Sequence, residues 1–193
     1  MEDRPLGKRM SRIEVLRWGH RPRDYRLTTH VALTARALGA SGIILADVED
    51  KGVERSIKKV VAQWGGPFSF KMGIPWRKAI KEWRAKGGII VHLTAYGENI
   101  NGNLMRRIKL RRGDVMVIVG SRKVPRAFYS KEVSDFNVAV GNQPHSECSS
   151  LAVFLDRYFN GKEVTWCFKN AKVSLIPKPR GKKLIRLQKF HES

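Results

Sequence analysis

The residues best suited to bind a ligand are concentrated in one stretch, residues 136–158, FNVAVGNQPHSECSSLAVFLDRY. The stretch begins as a short apolar strand, breaks at GNQPH, and continues as a helix for which Ser146 is a good N-cap. Apolar residues recur at helical spacing from Cys148 to Phe159 and give this helix one apolar face. The pattern exposes backbone N–H and C=O groups at the carboxyl end of a strand, where open α/β sheets bind ligands. An ordinary turn between a strand and a helix would show the same pattern.

Two other predicted strands end in residues of a similar kind. The loop LTAYG (residues 93–97) follows IIVH, and the loop GSRKVP (residues 120–125) follows VMVIV. Glycine lets a backbone approach a ligand closely, so both loops are further candidates for a binding site. The alternative again is that they are plain connecting turns.

The elements that must position these loops alternate between strands and helices along the chain. This alternation predicts an α/β fold, with a parallel sheet and helices on both of its faces. The predicted strands are residues 12–18, 42–46, 68–72, 89–94, 115–119 and 138–140. The predicted helices are residues 28–38, 53–64, 75–86 and the helix that starts after Ser146, with a partly helical segment at 104–112 and a short helix within 124–131.

After Gly161 the sequence no longer alternates between predicted strands and helices. Residues 164–168, 172–176 and 184–187 are predicted to be strands, and PKPRG between the last two is a turn, which indicates an appended β-hairpin. We expect a main domain at 11–163 and a basic extension at 164–193 that is not an independent domain. Residues 169–189 contain eight Lys or Arg and no Asp or Glu. Such a run can be a solvated face, but on this chain RNA contact is the favoured use.

The overall charge favours a nucleic-acid partner. The net charge is +21 and the pI is about 10.6, above the usual range for proteins that do not bind nucleic acid. An anionic membrane is the alternative, but no strongly amphipathic basic helix stands out and no apolar run reaches a spanning length. The N-terminus has no apolar signal core, so a cytoplasmic location is expected.

Several common kinds of site have no support in the sequence. There is no GxGxxG after the first strand and no P-loop, which argues against a dinucleotide-binding Rossmann domain. There is no HExxH and no other metal-ligand spacing, so we expect no metal. The two cysteines, Cys148 and Cys167, form no CxxC, and whether they pair is left open.

Three stretches together carry a family resemblance. They are GHRPRDYRLTTHVALTARALGA (residues 19–40), VGSRKVP (119–125) and GNQPHSE followed by LAVFLDR (141–157). In this order they resemble the SPOUT RNA methyltransferases, and within them the archaeal tRNA cytidine-56 2′-O-methyltransferases, over residues 11–165. The resemblance implies S-adenosylmethionine as cofactor, tRNA as substrate, a homodimer, an archaeal source and a deep C-terminal trefoil knot, which the spacing of the residues does not show.

The resemblance also assigns the cofactor pocket to the three loops. Adenine requires an apolar slot with main-chain donors and acceptors nearby, and Leu93, Val124 and Val140 suit the apolar part of such a slot. The sulfonium loses its charge as the methyl group leaves, so no carboxylate is needed to hold a lasting cation. The predicted cofactor-binding residues are Leu93, Gly120, Ser121, Arg122, Lys123, Val124, Val138, Ala139, Val140, Gly141, Asn142, Gln143, Pro144 and His145.

The catalytic assignment rests on arginines near the first strand–helix junction. Related enzymes use an arginine there to assist the attacking hydroxyl, and the candidates here are Arg21 and Arg26. The sequence departs from the better-known members, whose arginine aligns with about Leu33. Arginine also rarely gives up its proton, so phosphate binding is an equal alternative for both residues.

Two other functions remain open from the sequence. One is a catalytically inactive, basic RNA-binding protein, which cofactor binding would distinguish. The other is the same class of enzyme acting on another tRNA or ribosomal RNA position, which mapping of the methylated nucleotide would distinguish.

Overall fold

A computed structural model describes residues 11–121 and 123–187 of the chain. These residues form eight strands and five α-helices. The strands are β1 Ile13–Arg17, β2 Gly42–Ala46, β3 Ser69–Ile74, β4 Ile89–Asn99, β5 Val115–Val119, β6 Phe136–Ala139, β7 Val173–Ile176 and β8 Lys183–Arg186. The helices are α1 Tyr25–Ala37, α2 Lys51–Trp64, α3 Trp76–Ala85, α4 Gly102–Leu110 and α5 Glu147–Phe159. Short 3-10 helices lie at Pro22–Asp24, Arg126–Tyr129 and Lys162–Thr165.

The six-stranded sheet has the order β3-β2-β1-β5-β4-β6, and every neighbouring pair is parallel. The parallel sheet predicted from the alternation of elements is therefore confirmed. The central strands β1, β2 and β5 are buried at every position, as expected for strands with both faces covered.

Two apolar layers enclose the sheet. On one face α1, α2, α4 and α5 pack on alternate strand residues, including Val15, Val117 and Val138. On the other face α3 and the 3-10 helix at Arg126–Tyr129 pack on Leu16 and Ile118. Helices on both faces are thus confirmed as well. Among the described helices, none combines the length and the apolar content that crossing a membrane requires.

Two segments that the sequence left unsettled have clear conformations. The basic segment 104–112 lies largely in α4, whose N-cap Asn101 accepts a hydrogen bond from the Leu104 N–H at 2.9 Å. Strand β4 continues beyond residue 94, where a loop was predicted, and ends at Asn99.

The extension contains one hairpin, in which β7 and β8 pair antiparallel. It is attached to α2 through the Lys172 N–H, which donates to the Gln63 carbonyl at 2.9 Å. The predicted strand at 164–168 is wrong. Residues 162–165 form a 3-10 helix instead, and the Trp166 ring packs on Phe159 with ring centroids 4.8 Å apart. This aromatic contact, and not pairing with a neighbouring strand, fixes the path of the chain here.

Candidate functional site

A cavity of about 890 Å³ opens at the carboxyl ends of β4, β5 and β6. Its size lies in the range of small-molecule sites, and its position is the one at which open α/β sheets bind ligands. The lining residues are His92, Leu93, Thr94, Ala95, Tyr96, Gly97, Gly120, Ser121, Val124, Tyr129, Val140, Asn142, Gln143, Pro144, His145, Glu147 and Ser150.

The cavity brings together most residues of the predicted pocket. The predicted residues that line it are Leu93, Gly120, Ser121, Val124, Val140, Asn142, Gln143, Pro144 and His145. The remaining described ones, Lys123, Val138, Ala139 and Gly141, lie within two residues of a lining residue in sequence without lining the cavity themselves. Arg122 lies outside the described residues. All three loops singled out in the sequence therefore contribute to one cavity.

One wall is a bulge in β4 that the sequence did not reveal. Leu93 and Glu98 both pair with Val138 of β6, so residues 94–97 loop out of the ladder toward the cavity. Gly97 makes this possible, because a Cβ at this position would lie 2.5 Å from the backbone carbonyl carbon and oxygen of Asn137. The bulge thus lies directly on the backbone of β6.

The loop after β6 fixes the bulge from the other side. The Asn142 side-chain amide donates to the Ala95 carbonyl at 3.0 Å, and Asn142 Oδ1 accepts from the Asn99 side chain at 2.7 Å. These hydrogen bonds couple the two loops that form opposite parts of the cavity. Tyr96, within the bulge, lines the cavity and is 87% exposed.

The floor near β4 is aromatic and uncharged. His92 is buried, its Nδ1 lies 2.9 Å from Asn137 Oδ1, and its ring packs edge-on against Phe128 and Tyr129. Burial lowers the pKa of His92, although the hydrogen bond with Asn137 opposes the change. His92 is therefore neutral near pH 7.

Arg17 is a functional candidate that the sequence did not predict. It ends β1, is fully buried, and its Nη1 donates to the Gly120 carbonyl at 3.0 Å. The same nitrogen lies 3.7 Å from the carboxylate of Glu147, which is 28% exposed and lines the cavity. Burial lowers the pKa of Arg17, with Glu147 the main group opposing this. The strand IEVLR contains two charged residues, Glu14 and Arg17, among apolar ones, and an arginine at the end of such a strand is the signal that could have identified it.

Helix α5 presents Glu147 to the cavity. Ser146 caps the helix, since its Oγ accepts from the Cys148 N–H at 3.1 Å, and Glu147 is the first helical residue. A carboxylate in the first turn is stabilised by the positive end of the helix dipole. Cys148 and Cys167 are free thiols in the structure.

Arg21 and Arg26 lie outside the cavity lining. Both side chains are exposed, and among the described residues neither takes part in an ion pair. The loop that contains Arg21 and leads into α1, where Arg26 lies, nevertheless adjoins the site, because a Cβ on Gly19 would collide with the Ser121 hydroxyl. The loop is fixed by His20, whose Nδ1 lies 2.8 Å from the Thr28 hydroxyl and whose Nε2 lies 3.0 Å from Asp50 Oδ2.

Comparison with known proteins gives a consistent result. A protein-family model described as "tRNA ribose 2'-O-methyltransferase, aTrm56" matches residues 64–185. The chain is 51% identical over 182 residues to a "tRNA (cytidine(56)-2'-O)-methyltransferase" of Staphylothermus marinus, covering 94% of this chain and 96% of the relative. It is 55% identical over 181 residues to the protein of the same name from Pyrococcus abyssi, covering 92% and 89%.

Solved structures with the same fold are more distant in sequence. A SpoU methyltransferase, AviRb from Streptomyces viridochromogenes in complex with AdoMet, superposes with a TM-score of 0.54 at 17% identity. The match covers 79% of this chain and 58% of that one. A structure described as an RNA 2'-O ribose methyltransferase gives a TM-score of 0.59 at 18% identity, covering 84% and 62%. These likenesses establish a common fold.

Proposed function

The chain belongs to the tRNA ribose 2′-O-methyltransferase family, and from this premise we propose that it methylates the ribose 2′-hydroxyl of cytidine 56 in tRNA. The methyl donor is S-adenosylmethionine. The observation that carries the proposal is the cavity at the carboxyl ends of β4–β6, formed by the loops whose sequence motifs are those of the family. Half-identical relatives that span nearly the whole chain bear the name of this reaction.

The residues present fit the cofactor. Leu93, Val124 and Val140 give the cavity an apolar side, while the main chain of the loops after β5 and β6 supplies donors and acceptors. Gly97 and Gly120 keep the walls close, since neither position has room for a Cβ without a collision. Lys123, Val138, Ala139 and Gly141 would support the lining residues, and Arg122 belongs to the same proposed set.

The chemistry requires little of the protein beyond orientation and proton removal. When bound, S-adenosylmethionine supplies an electrophilic methyl carbon on a sulfonium. Holding the ribose hydroxyl in line with that carbon supplies much of the acceleration, because effective molarities in oriented reactions reach roughly 10⁵ M or more. The bulge at 94–97 and the loop at 120–125 would exclude water from the reacting atoms.

The roles of Arg21 and Arg26 stay predictions. Their side chains are exposed, Arg21 on the loop that adjoins Ser121 and Arg26 in the first turn of α1, which suits contacts with a nucleotide phosphate as well as a catalytic contact. A phosphate-binding arginine changes the KM for tRNA when replaced by alanine, whereas a catalytic one changes kcat.

The proposed function is tested by methyl transfer to defined tRNA. We expect label from S-adenosylmethionine to appear on an unmodified archaeal tRNA transcript, and none on the same transcript with 2′-deoxycytidine at position 56. Label on both transcripts would retain the methyltransferase and move the target nucleotide. Absence of label from both, together with absence of cofactor binding in calorimetry, would leave a non-catalytic RNA-binding protein.

The hairpin is the proposed tRNA-contact surface. Five exposed basic side chains surround its turn and strands: Lys178, Arg180, Lys182, Lys183 and Arg186. Changing Lys178, Arg180 and Lys182 together to alanine should weaken tRNA binding. It should also reduce the slope of log K against log salt by about 2, since each phosphate contact contributes about 0.7 for single-stranded RNA.

The control for the hairpin variant removes equal charge elsewhere. Lys78, Lys81 and Lys86 are exposed on and just after α3, on the opposite face of the sheet from α5. We expect their triple alanine variant to change the salt slope by less than the hairpin variant. Equal changes, measured by filter binding over a salt series, would refute a special role for the hairpin. Cofactor affinity should be the same in both variants.

Other expectations are proposals as well. The family implies the trefoil knot, a homodimer and an archaeal source, and the sequence pattern predicts a cytoplasmic location and the division into residues 11–163 and 164–193. Tyr158 and Phe159 are buried in the chain's own core, so a dimer interface would have to use other side chains. Light scattering on the purified protein measures the mass that decides between monomer and dimer.

A further inference from the structure

We propose that Glu147 is the catalytic base that accepts the proton of the ribose 2′-hydroxyl, and that Arg17 is a positioning residue that holds its carboxylate. The inference rests on the proposed methyl transfer and assigns the proton acceptor of that reaction. In the step, a bond forms between the 2′-oxygen and the methyl carbon while the carbon–sulfur bond breaks. The proton moves to a Glu147 oxygen, and the electron pair of the broken bond stays on sulfur, which becomes a neutral thioether.

The first argument is the composition of the cavity. Among the described residues that line it, Glu147 is the only carboxylate, and the other polar side chains are hydroxyls, amides and two histidines. A lasting cation does not need to be held, because the sulfonium becomes neutral in the reaction. A carboxylate in such a cavity therefore suits a different task, and the attacking hydroxyl requires a proton acceptor.

The second argument is the way in which the carboxylate is held. Arg17 Nη1 lies 3.7 Å from Glu147 Oε1, and the same nitrogen donates to the Gly120 carbonyl at 3.0 Å. A guanidinium fixed between β5 and α5 sets the position of the carboxylate relative to the loop that forms the opposite wall. Burying an arginine at 0% exposure costs free energy, which this arrangement offsets only in part.

The third argument is the unused hydrogen-bonding capacity of Arg17. Its Nε and Nη2 are buried and have no hydrogen-bond partner among the described residues. Buried charged donors are normally satisfied, so unsatisfied ones require an explanation, and catalytic sites are one place where they occur. These two donors leave Arg17 with unused hydrogen-bonding capacity beside the cavity, next to the nitrogen that lies 3.7 Å from Glu147.

The two histidines of the cavity are weaker candidates for the base. His92 is buried in the aromatic floor with its Nδ1 at Asn137, and an edge-on ring on each side restricts it. His145 is exposed, with its Nδ1 3.2 Å from the Ser146 carbonyl and no described carboxylate orienting it. The charged or titratable groups that face the Glu147–Arg17 pair are His145 on the preceding loop, Cys148 on α5 and Asp24 before α1.

The test compares Glu147→Gln with the wild-type protein in single-turnover methyl transfer over a range of pH. We expect the maximal rate to fall about 10²-fold or more, as for removal of a general base, with the calorimetric Kd for S-adenosylmethionine changed less than threefold. The acidic limb of the wild-type pH–rate profile should be absent from Glu147→Gln. Glu147→Asp should recover part of the rate, and His145→Gln should keep the acidic limb.

Arg17 is tested by rescue with the conservative variant. Arg17→Lys keeps a positive charge near Glu147 and should lose less of the maximal rate than Arg17→Met, with the calorimetric Kd for S-adenosylmethionine changed less than the rate in both variants. A purely structural role would lower the rate and the cofactor affinity together, with no recovery in Arg17→Lys.

The matched control is Glu82→Gln, which removes a carboxylate from an exposed ion pair with Lys78 on α3, on the opposite face of the sheet from α5. It should keep the wild-type rate and profile. A wild-type rate in Glu147→Gln, or a loss of cofactor affinity equal to the loss of rate, would overturn the assignment of Glu147 as the base and leave the proposed methyl transfer standing. A wild-type protein that transfers no methyl group would overturn the proposed function and this inference with it.

Discussion

Gly97→Ala should weaken S-adenosylmethionine binding about tenfold to a hundredfold and lower methyl transfer at limiting cofactor by a similar factor. The added Cβ would lie 2.5 Å from the backbone carbonyl carbon and oxygen of Asn137 and 2.6 Å from the Val138 nitrogen. No rotation of a side chain can relieve a collision with backbone, so the bulge at 94–97 has to move away from β6. Overpacking of this kind costs about 1–3 kcal/mol, and about 1.4 kcal/mol corresponds to a tenfold change in affinity.

The matched control is Gly102→Ala, at the start of α4, where a Cβ would meet nothing within 4 Å. Because alanine is favoured over glycine in a helix, this variant should be as stable as the wild-type protein or slightly more stable. Calorimetric titration of both variants with S-adenosylmethionine, together with their melting temperatures, checks the prediction. Equal cofactor affinities in the two variants would show that the bulge does not shape the binding cavity.

The layered fold was predictable because its signals are local. Buried parallel strands such as β2 and β5 are short runs of apolar residues, and amphipathic helices such as α2 show their period directly. The bulge in β4 was not predictable, because the ladder resumes only through pairing with β6, and pairing is not visible in one strand's sequence. The strand predicted at 164–168 failed for a related reason, since the packing of Trp166 on Phe159 outweighs a local β propensity.

The candidate site was predictable where backbone conformation shapes it. Glycine, asparagine and proline mark the loops after β5 and β6, and nine of the predicted residues line the cavity. Arg17 was missed because an arginine at a strand end is usually taken for a solvent-exposed side chain. Its burial depends on Gly120 and Glu147, which are more than 100 residues away in the chain. Only the assembled sheet brings these three positions together.

Arg17 on one side, and Arg21 and Arg26 on the other, have different surroundings and therefore suit different roles. Arg17 ends β1 and is buried against the loop after β5, whereas Arg21 and Arg26 are exposed on the loop and helix that follow. A buried guanidinium can orient a neighbouring carboxylate but cannot reach a phosphate in solvent. The exposed pair has the opposite properties, which suits contact with the charged backbone of tRNA.

The largest predicted effect on stability is that of Asp135→Ala, which should lower the free energy of unfolding by about 2–3 kcal/mol. Asp135 immediately precedes β6, and its Oδ2 accepts a hydrogen bond from the Ile90 N–H at 2.8 Å. Its Oδ1 lies 3.3 Å from Arg111 and 3.5 Å from Arg84, and the side chain is only 12% exposed. Removing the carboxylate leaves the Ile90 N–H without its acceptor and takes an ion-pair partner from Arg111 and Arg84. Arg84 keeps the carbonyls of Lys131 and Val133, and both arginines are partly exposed, which places the cost below that of a fully buried pair.

Two further variants separate the contributions of Asp135. Asp135→Asn retains an oxygen that can accept from Ile90 and should cost about 1 kcal/mol, since only the ionic part is lost. Glu82→Ala removes one partner of the exposed Lys78–Glu82 pair and should change the stability by less than about 0.5 kcal/mol. Urea denaturation of the three variants gives the comparison. If Asp135→Ala lowers the free energy of unfolding no more than Glu82→Ala does, this carboxylate does not fix the register of β6 against β4. The position of the loop after β6 would then be set by the hydrogen bond from Asn142 to the Ala95 carbonyl.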